Sequence, residues 1–236
     1  MSSTPPILEE YGDSAVMVTV DSPDAGFRRR RIVQLRDAFC GHRPHGVTDV
    51  VSGLESFLIA YDPLITGPEH LAPVLRLVDR VATEPEAARG RVLDVPIIFG
   101  GDAGPDLAAV SLELGLSEQQ VVSALVGHEL TIVLLAAAMA PMMSGVTLPR
   151  PVARQAQPRT NVPAGSVMIA GDNAIIQPFP GPTGWRVVGW TPLGIVDITA
   201  DPPIRFAAGD RLRLRAIGTV EAANSAGILL GEASRA

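Results

Sequence analysis

Between residues 141 and 210 the chain carries 11 prolines and 8 glycines, and this density constrains the fold more than any other feature. Proline removes a backbone donor and fixes φ, and glycine favours turns, so long helices are excluded there and many turns are demanded. Between the turns lie short β-prone runs: Val167–Ala170, Ala174–Gln177, Trp185–Val188 and Arg211–Ile217. The last alternates Arg211, Leu212, Arg213, Leu214 and Arg215, which predicts one buried and one wet face. Short strands with regular turns predict a barrel or closed sandwich. Apolar residues are 47% of the chain but aromatics only 4%, so the core must be built from Val, Leu, Ile and Ala.

The first third reads differently. Ser14–Val20 suits a strand, and Asp24 caps a helix running to about Cys40, with Phe27, Val33, Leu35 and Phe39 as its apolar positions. Arg28 to Arg31 lie in its first turn. Helical periodicity spreads four consecutive residues around the axis, which predicts a solvated face. Val47–Val51 and Ser56–Tyr61 form strands around Gly53, Asp62-Pro63 closes the second, and Pro68–Ala82 is a helix with Leu71, Val74, Leu75 and Val78 inward. The order β-α-β-β-α predicts an α+β domain of ferredoxin-like type. The polar stretch Glu84–Gly90 is the expected linker, dividing residues 1–88 from residues 89–236.

Past that linker, Val92–Phe99 reads as a strand containing Pro96, so it should lie at a sheet edge or begin beyond the proline. Asp106–Leu114 is a short helix ended by Gly115, and Ser117 with Gln120 makes a capping box for another whose buried face is Val121, Val122 and Leu125. The apolar run Leu130–Met143 reads equally as a partner-facing surface or a core strand.

A net charge of −6 supplies no global attraction for nucleic acid or anionic membrane. The single cysteine, Cys40, excludes an internal disulfide framework and any multi-cysteine metal site, and reads as a small buried hydrophobe. Met1 to Gly12 carries Pro5, Pro6, Glu9 and Glu10 where a signal peptide needs basic and apolar residues. The expectation is a cytoplasmic chain. There is no phosphate-binding G-x-x-x-x-G-K-S/T loop, no dinucleotide G-x-G-x-x-G after a strand, no G-x-S-x-G elbow, and no second histidine to complete a zinc helix after His128-Glu129. The residues alone display no catalytic constellation, and no catalytic residue is assigned.

Two stretches are more specific. In Val95-Pro-Ile-Ile-Phe-Gly-Gly-Asp-Ala-Gly-Pro-Asp-Leu107 the glycines permit a tight turn and close backbone approach, and Pro105 opens a helix. The second is Pro158-Arg159 through Val162-Pro163-Ala164-Gly165-Ser166-Val167 to Ile169-Ala170-Gly171, followed by Gly184-Trp185, Gly189 and Thr191-Pro192. Together with Tyr61-Asp62-Pro63, this ordered set resembles the allophanate hydrolase subunit 1 or KipI family, also called the carboxyltransferase C/D domain, which includes one of the subunits of bacterial 5-oxoprolinase. The resemblance spans about residues 7 to 217.

The resemblance implies an α+β domain followed by a cyclophilin-like β-barrel. It also implies a partner, the allophanate hydrolase subunit 2 (KipA-like) protein, and a third, lactam-hydrolase-like subunit. The substrate class it implies is a small amide such as 5-oxoproline, with ATP driving ring opening in the complex. Arg154, Arg159, Asn173 and His128 are the substrate-binding residues expected from it, at a site shared with subunit 2. The chain departs from the family pattern in three places. The aromatic G-F-x-P-G-F segment is replaced by Ala138-Met139-Ala140-Pro141-Met142-Met143. An arginine gives way to Trp190 and a glutamine to Asn173. Tryptophan cannot reproduce a bidentate guanidinium clamp, so a catalytically degenerate, KipI-like regulatory module is the alternative function.

Overall fold

The computed structural model describes residues 5–81 and 90–232, and the chain divides into two compact units, Met1–Ala88 and Arg89–Ala236. Most of the expected linker, residues 84–89, falls outside the described residues.

In the first unit, β1 (Pro6–Glu10), β2 (Ala15–Val20), β3 (Val47–Ser52) and β4 (Ser56–Tyr61) form an antiparallel sheet in the order β1-β2-β4-β3. Helices α1 (Ala25–Gly41) and α2 (Pro68–Val81) follow β2 and β4. Strand alternation sends Val16, Val18, Phe57 and Ile59 to one face, against Ile32, Leu35 and Phe39 of α1 and Leu71, Leu75 and Val78 of α2. The Asp24 carboxylate accepts the Phe27 N–H at 3.1 Å and caps α1, as its side-chain chemistry predicts. The strand at Pro6–Glu10 is not expected from the sequence; Ile7, Glu9 and Glu10 are exposed and only Leu8 packs partly against the core, so no clear apolar alternation marks it.

Two expectations for α1 are corrected. Arg31 is 8% exposed rather than solvated. Its guanidinium donates to the Asp79 carboxylate at 2.6 Å and to Gln34 Oε1 at 3.0 Å, clamping α1 to α2. Cys40 is exposed, not buried: the inward stripe ends at Phe39, and one further residue rotates the side chain about 100° around the helix.

The second unit begins with β5 (Val92–Phe99), α3 (Leu107–Leu114), α4 (Glu118–Val126), β6 (Glu129–Leu135) and β7 (Pro141–Ser144). It continues with β8 (Arg159–Val162), β9 (Ser166–Ala170), β10 (Asn173–Ile176), β11 (Gly181–Thr183), β12 (Arg186–Trp190), β13 (Arg211–Ala216) and α5 (Thr219–Ser225). Seven strands close into a barrel in the order β10-β7-β6-β13-β5-β12-β9, and β8 pairs separately with β11. Val95, Ile97, Leu130, Ile132, Ile169 and Leu212 belong to its core, together with Leu107 and Val110 of α3 and Leu125 of α4. Side chains therefore fill the barrel, as expected of so few strands. Outside β9 and β12, Val162 of β8 packs with Met168, Val187 and Trp185 in a smaller cluster.

Contrary to expectation, β5 is not an edge strand and runs through Pro96, between β13 and β12. The carbonyls of Arg91 and Ile97 serve β13; residue 96, of opposite parity, turns its nitrogen towards β12, whose pairing with β5 reaches only Ile98 and Phe99. The missing donor thus costs no ladder bond. The Leu130–Met143 run divides: Leu130, Ile132 and Met143 are buried, whereas Leu135 and Met139 are exposed. No helix among the described residues is long and apolar enough to cross a membrane.

Candidate functional site

The turn from β5 into α3 fixes the centre of the candidate site. A Cβ on Gly104 would lie 2.1 Å from the Val188 carbonyl oxygen, so only glycine lets this turn approach β12. The Gly100 N–H donates to the same carbonyl at 3.1 Å, and the Asp106 N–H donates to the Val187 carbonyl at 2.9 Å. Docked this way, the Asp106 side chain is buried at 6% exposure. It accepts the Val187 N–H at 2.8 Å, Gln155 Nε2 at 2.7 Å, and Arg159 through Nη2 at 2.5 Å and Nε at 3.3 Å. One carboxylate thus ties α3, the segment before β8 and β12 together. Its charge is met by a bidentate guanidinium and two neutral donors, which is what a buried anion requires. The bond to Asp106 also raises the Arg159 pKa.

Arg159 is 41% exposed along its side chain, so its outer edge still meets solvent. Arg154, five residues earlier, is exposed and stacks its guanidinium 5.8 Å from the centroid of the Trp185 ring. The Val152–Gly171 bridge lays this segment along the turn leading to Asn173. Asn173 pairs with Ser144 of β7 and Ala170 of β9, and its Oδ1 is buried without a hydrogen-bond partner among the described residues. His128 Nε2 contacts the carbonyl of Gly145, the residue after Ser144. The four expected residues therefore fall in two pairs. His128 and Asn173 flank the end of β7, whereas Arg154 and Arg159 flank Trp185 and Asp106. Trp190 donates its indole N–H to the Ala164 carbonyl at 2.8 Å and so braces the Pro163–Gly165 turn.

Sequence reasoning missed Gln155 and the part played by Asp106. The acid lies 49 and 53 residues from its partners, and only its place in the glycine-rich turn hinted at a role. A cavity of about 840 Å³ lined by Arg91, Ile204, Arg205 and Phe206 borders none of the four expected residues. Among the described residues, no group of three or more His, Cys, Asp or Glu is arranged to hold a metal ion.

Comparison with known proteins adds three findings. The chain is 31% identical to a 5-oxoprolinase subunit of Escherichia coli O157:H7 over 211 residues, which covers 86% of this chain and 92% of that protein. The crystal structure of a conserved uncharacterized protein from Pyrococcus horikoshii superimposes with a TM-score of 0.54 at 27% identity, covering 91% of this chain and 99% of the other. The urea amidolyase of K. lactis shares the fold at 15% identity, with a TM-score of 0.78 over 96% of this chain and 16% of that one. A family model for the carboxyltransferase domain, subdomain C and D, matches residues 6–206, and the chain belongs to that family.

Proposed function

We propose that this chain is the smaller subunit of a heteromeric, ATP-dependent amidohydrolase of 5-oxoprolinase or allophanate hydrolase type, acting in the cytoplasm on a small cyclic or linear amide. The observation that carries the proposal is near full-length similarity to a protein named as a 5-oxoprolinase subunit. A protein so named is one part of an assembly, and the expected partners are a subunit 2 (KipA-like) protein and a lactam-hydrolase-like third chain. The geometry favours a shared site over a self-contained one. Arg154 and the outer edge of Arg159 offer guanidinium N–H groups suited to a carboxylate or phosphate oxygen, and Asn173 holds an Oδ1 unpartnered among the described residues. This chain supplies no glycine-rich phosphate loop, so ATP is assigned to the assembled complex.

The second reading, a regulatory module of KipI type, is favoured by one feature: Trp190 stands where the family pattern has arginine and spends its N–H on Ala164. Co-expression with a subunit 2 protein, followed by ATPase measurement with and without 5-oxoproline, separates the two. Turnover stimulated by 5-oxoproline supports the enzymatic reading. A stable complex with no amide-dependent turnover supports the regulatory module, and failure to form any complex overturns both.

A further inference from the structure

The amino-terminal unit carries a feature that the proposed site does not use. At the end of β4 a cleft of about 370 Å³ is lined by Asp13, Tyr61, Leu64, Ile65, Glu69 and His70, among others. Tyr61 is 6% exposed, with its ring in the core of this unit. Among the described residues, its hydroxyl makes no hydrogen bond and is not one of the solvent-shielded atoms left without a partner, so it opens onto the cleft. A phenol whose ring is fixed in the core and whose oxygen faces a cleft can take a donor or acceptor from outside.

The surroundings decide the sign of that group. Asp13 and Glu10 make no ion pair among the described residues, and the only basic side chain within ion-pair distance of Glu69 among them is the His70 imidazole, with Nδ1 at 3.0 Å. Burial, and then Glu10, Glu69 and Asp13 in turn, raise the phenol's pKa, as a negative local field requires. Carboxylates of one sign around a phenol oxygen select a cation, and the cleft shows no metal-binding group among the described residues.

The rim decides the source. Leu64 is 94% exposed, Ile65 49%, and Tyr11 on the adjoining turn 60%. The loop bearing the first two is braced. The Asp62 carbonyl accepts the N–H groups of Ile65 and Thr66, both at 3.0 Å, the Asp62 carboxylate accepts Leu64 N–H at 2.9 Å, and the Asp62 N–H donates to the Gly46 carbonyl at 2.8 Å. A Cβ on Gly46 would meet Ile65 and Thr66 methyls at 2.8 Å. Large apolar side chains held out from a rigid loop around a charged cleft have the anatomy of a protein interface.

We infer that this cleft is a docking socket for a lysine or arginine side chain, flanked by apolar residues, on the second subunit of the proposed assembly. The identity of that chain rests on the two-subunit reading above; the chemistry of the socket does not.

The test is calorimetric titration of the full chain with the subunit 2 protein. Leu64→Asp and Glu69→Lys should each weaken binding about tenfold or more, as loss of an interface anchor does. Tyr61→Phe should weaken it severalfold, and high salt should weaken the wild-type interaction. Unchanged affinity in both Leu64→Asp and Glu69→Lys overturns the socket and leaves the two-subunit reading standing. If wild-type chain does not bind subunit 2, that reading fails, and the peptides acetyl-Leu-Arg-amide and acetyl-Leu-Glu-amide then judge the socket. Saturable NMR shifts at Tyr61 and Leu64 with the arginine peptide alone, abolished in Glu69→Lys, support it. Equal shifts from both peptides, or from neither, overturn it.

Discussion

Asp106 and Arg159 separate scaffolding from ligand binding at the level of single residues. Asp106 is buried and holds four hydrogen bonds from three residues, so Asp106→Ala strands a guanidinium, an amide and a backbone N–H. It should cost about 3–5 kcal/mol, read as a lowered denaturation midpoint. Arg159 is partly solvated, and its removal leaves the carboxylate with two neutral donors, so Arg159→Ala should cost only about 1–2 kcal/mol. Arg154→Ala, which gives up an exposed stack on Trp185, should cost about 0.5–1 kcal/mol. If the proposed site is real, Arg154→Ala weakens substrate-dependent ATP turnover of the complex far more than it lowers stability. Tyr61 offers a pH test. Its folded pKa is raised above the ordinary 10.0, so its contribution to stability is complete below about pH 10 and is lost as pH rises through the folded value. Absorbance titration should show a late phenol step that Tyr61→Phe removes.

Local chemistry accounts for most of the elements that the sequence discloses. The Ser117–Gln120 capping box, with bonds of 2.8 and 3.2 Å, and the left-handed Gly115 at φ 69° are nearest-neighbour effects, legible from a few residues. The inward Leu212 and Leu214 follow from alternation alone. What escaped reading depends on partners far along the chain: Arg31 is buried because Asp79 waits 48 residues away, and Pro96 fits inside the barrel because of where β12 stops pairing. The turn joining β6 to β7 conflicts with its own sequence. Ala138 and Met139 have φ of 55° and 63°, and the Ala140 N–H donates to the Ala137 carbonyl at 3.3 Å. This is type I′ turn geometry, which favours Asn-Gly and penalises residues bearing a Cβ. The double substitution Ala138→Asn, Met139→Gly should stabilise the chain by about 1–2 kcal/mol, measured by denaturant titration. A neutral or destabilising result would show that the exposed Met139 has a packing role that solvent exposure conceals.

For the whole molecule, the division into two units is an energetic statement that can be measured. Among the described residues, the buried side chains of the first core run from Val16 to Val78, with Leu8 packed against them, and those of the barrel core run from Leu93 to Leu230. Among the described residues no buried apolar residue belongs to both clusters, so each unit has its own hydrophobic driving force and should unfold as its own cooperative step. The two charge clamps serve as independent probes. Asp79→Ala uncouples α1 from α2 at a pair only 10% and 13% exposed, which should cost the first unit about 3 kcal/mol. In a domain of that size this lowers the midpoint by roughly 12–24 °C. Asp106→Ala should lower only the barrel transition. Calorimetry of both single variants and the double variant should therefore give separate shifts that add within about 0.5 kcal/mol. A shift of both transitions by either substitution, or strong non-additivity in the double variant, would mean that the two cores melt as one cooperative body.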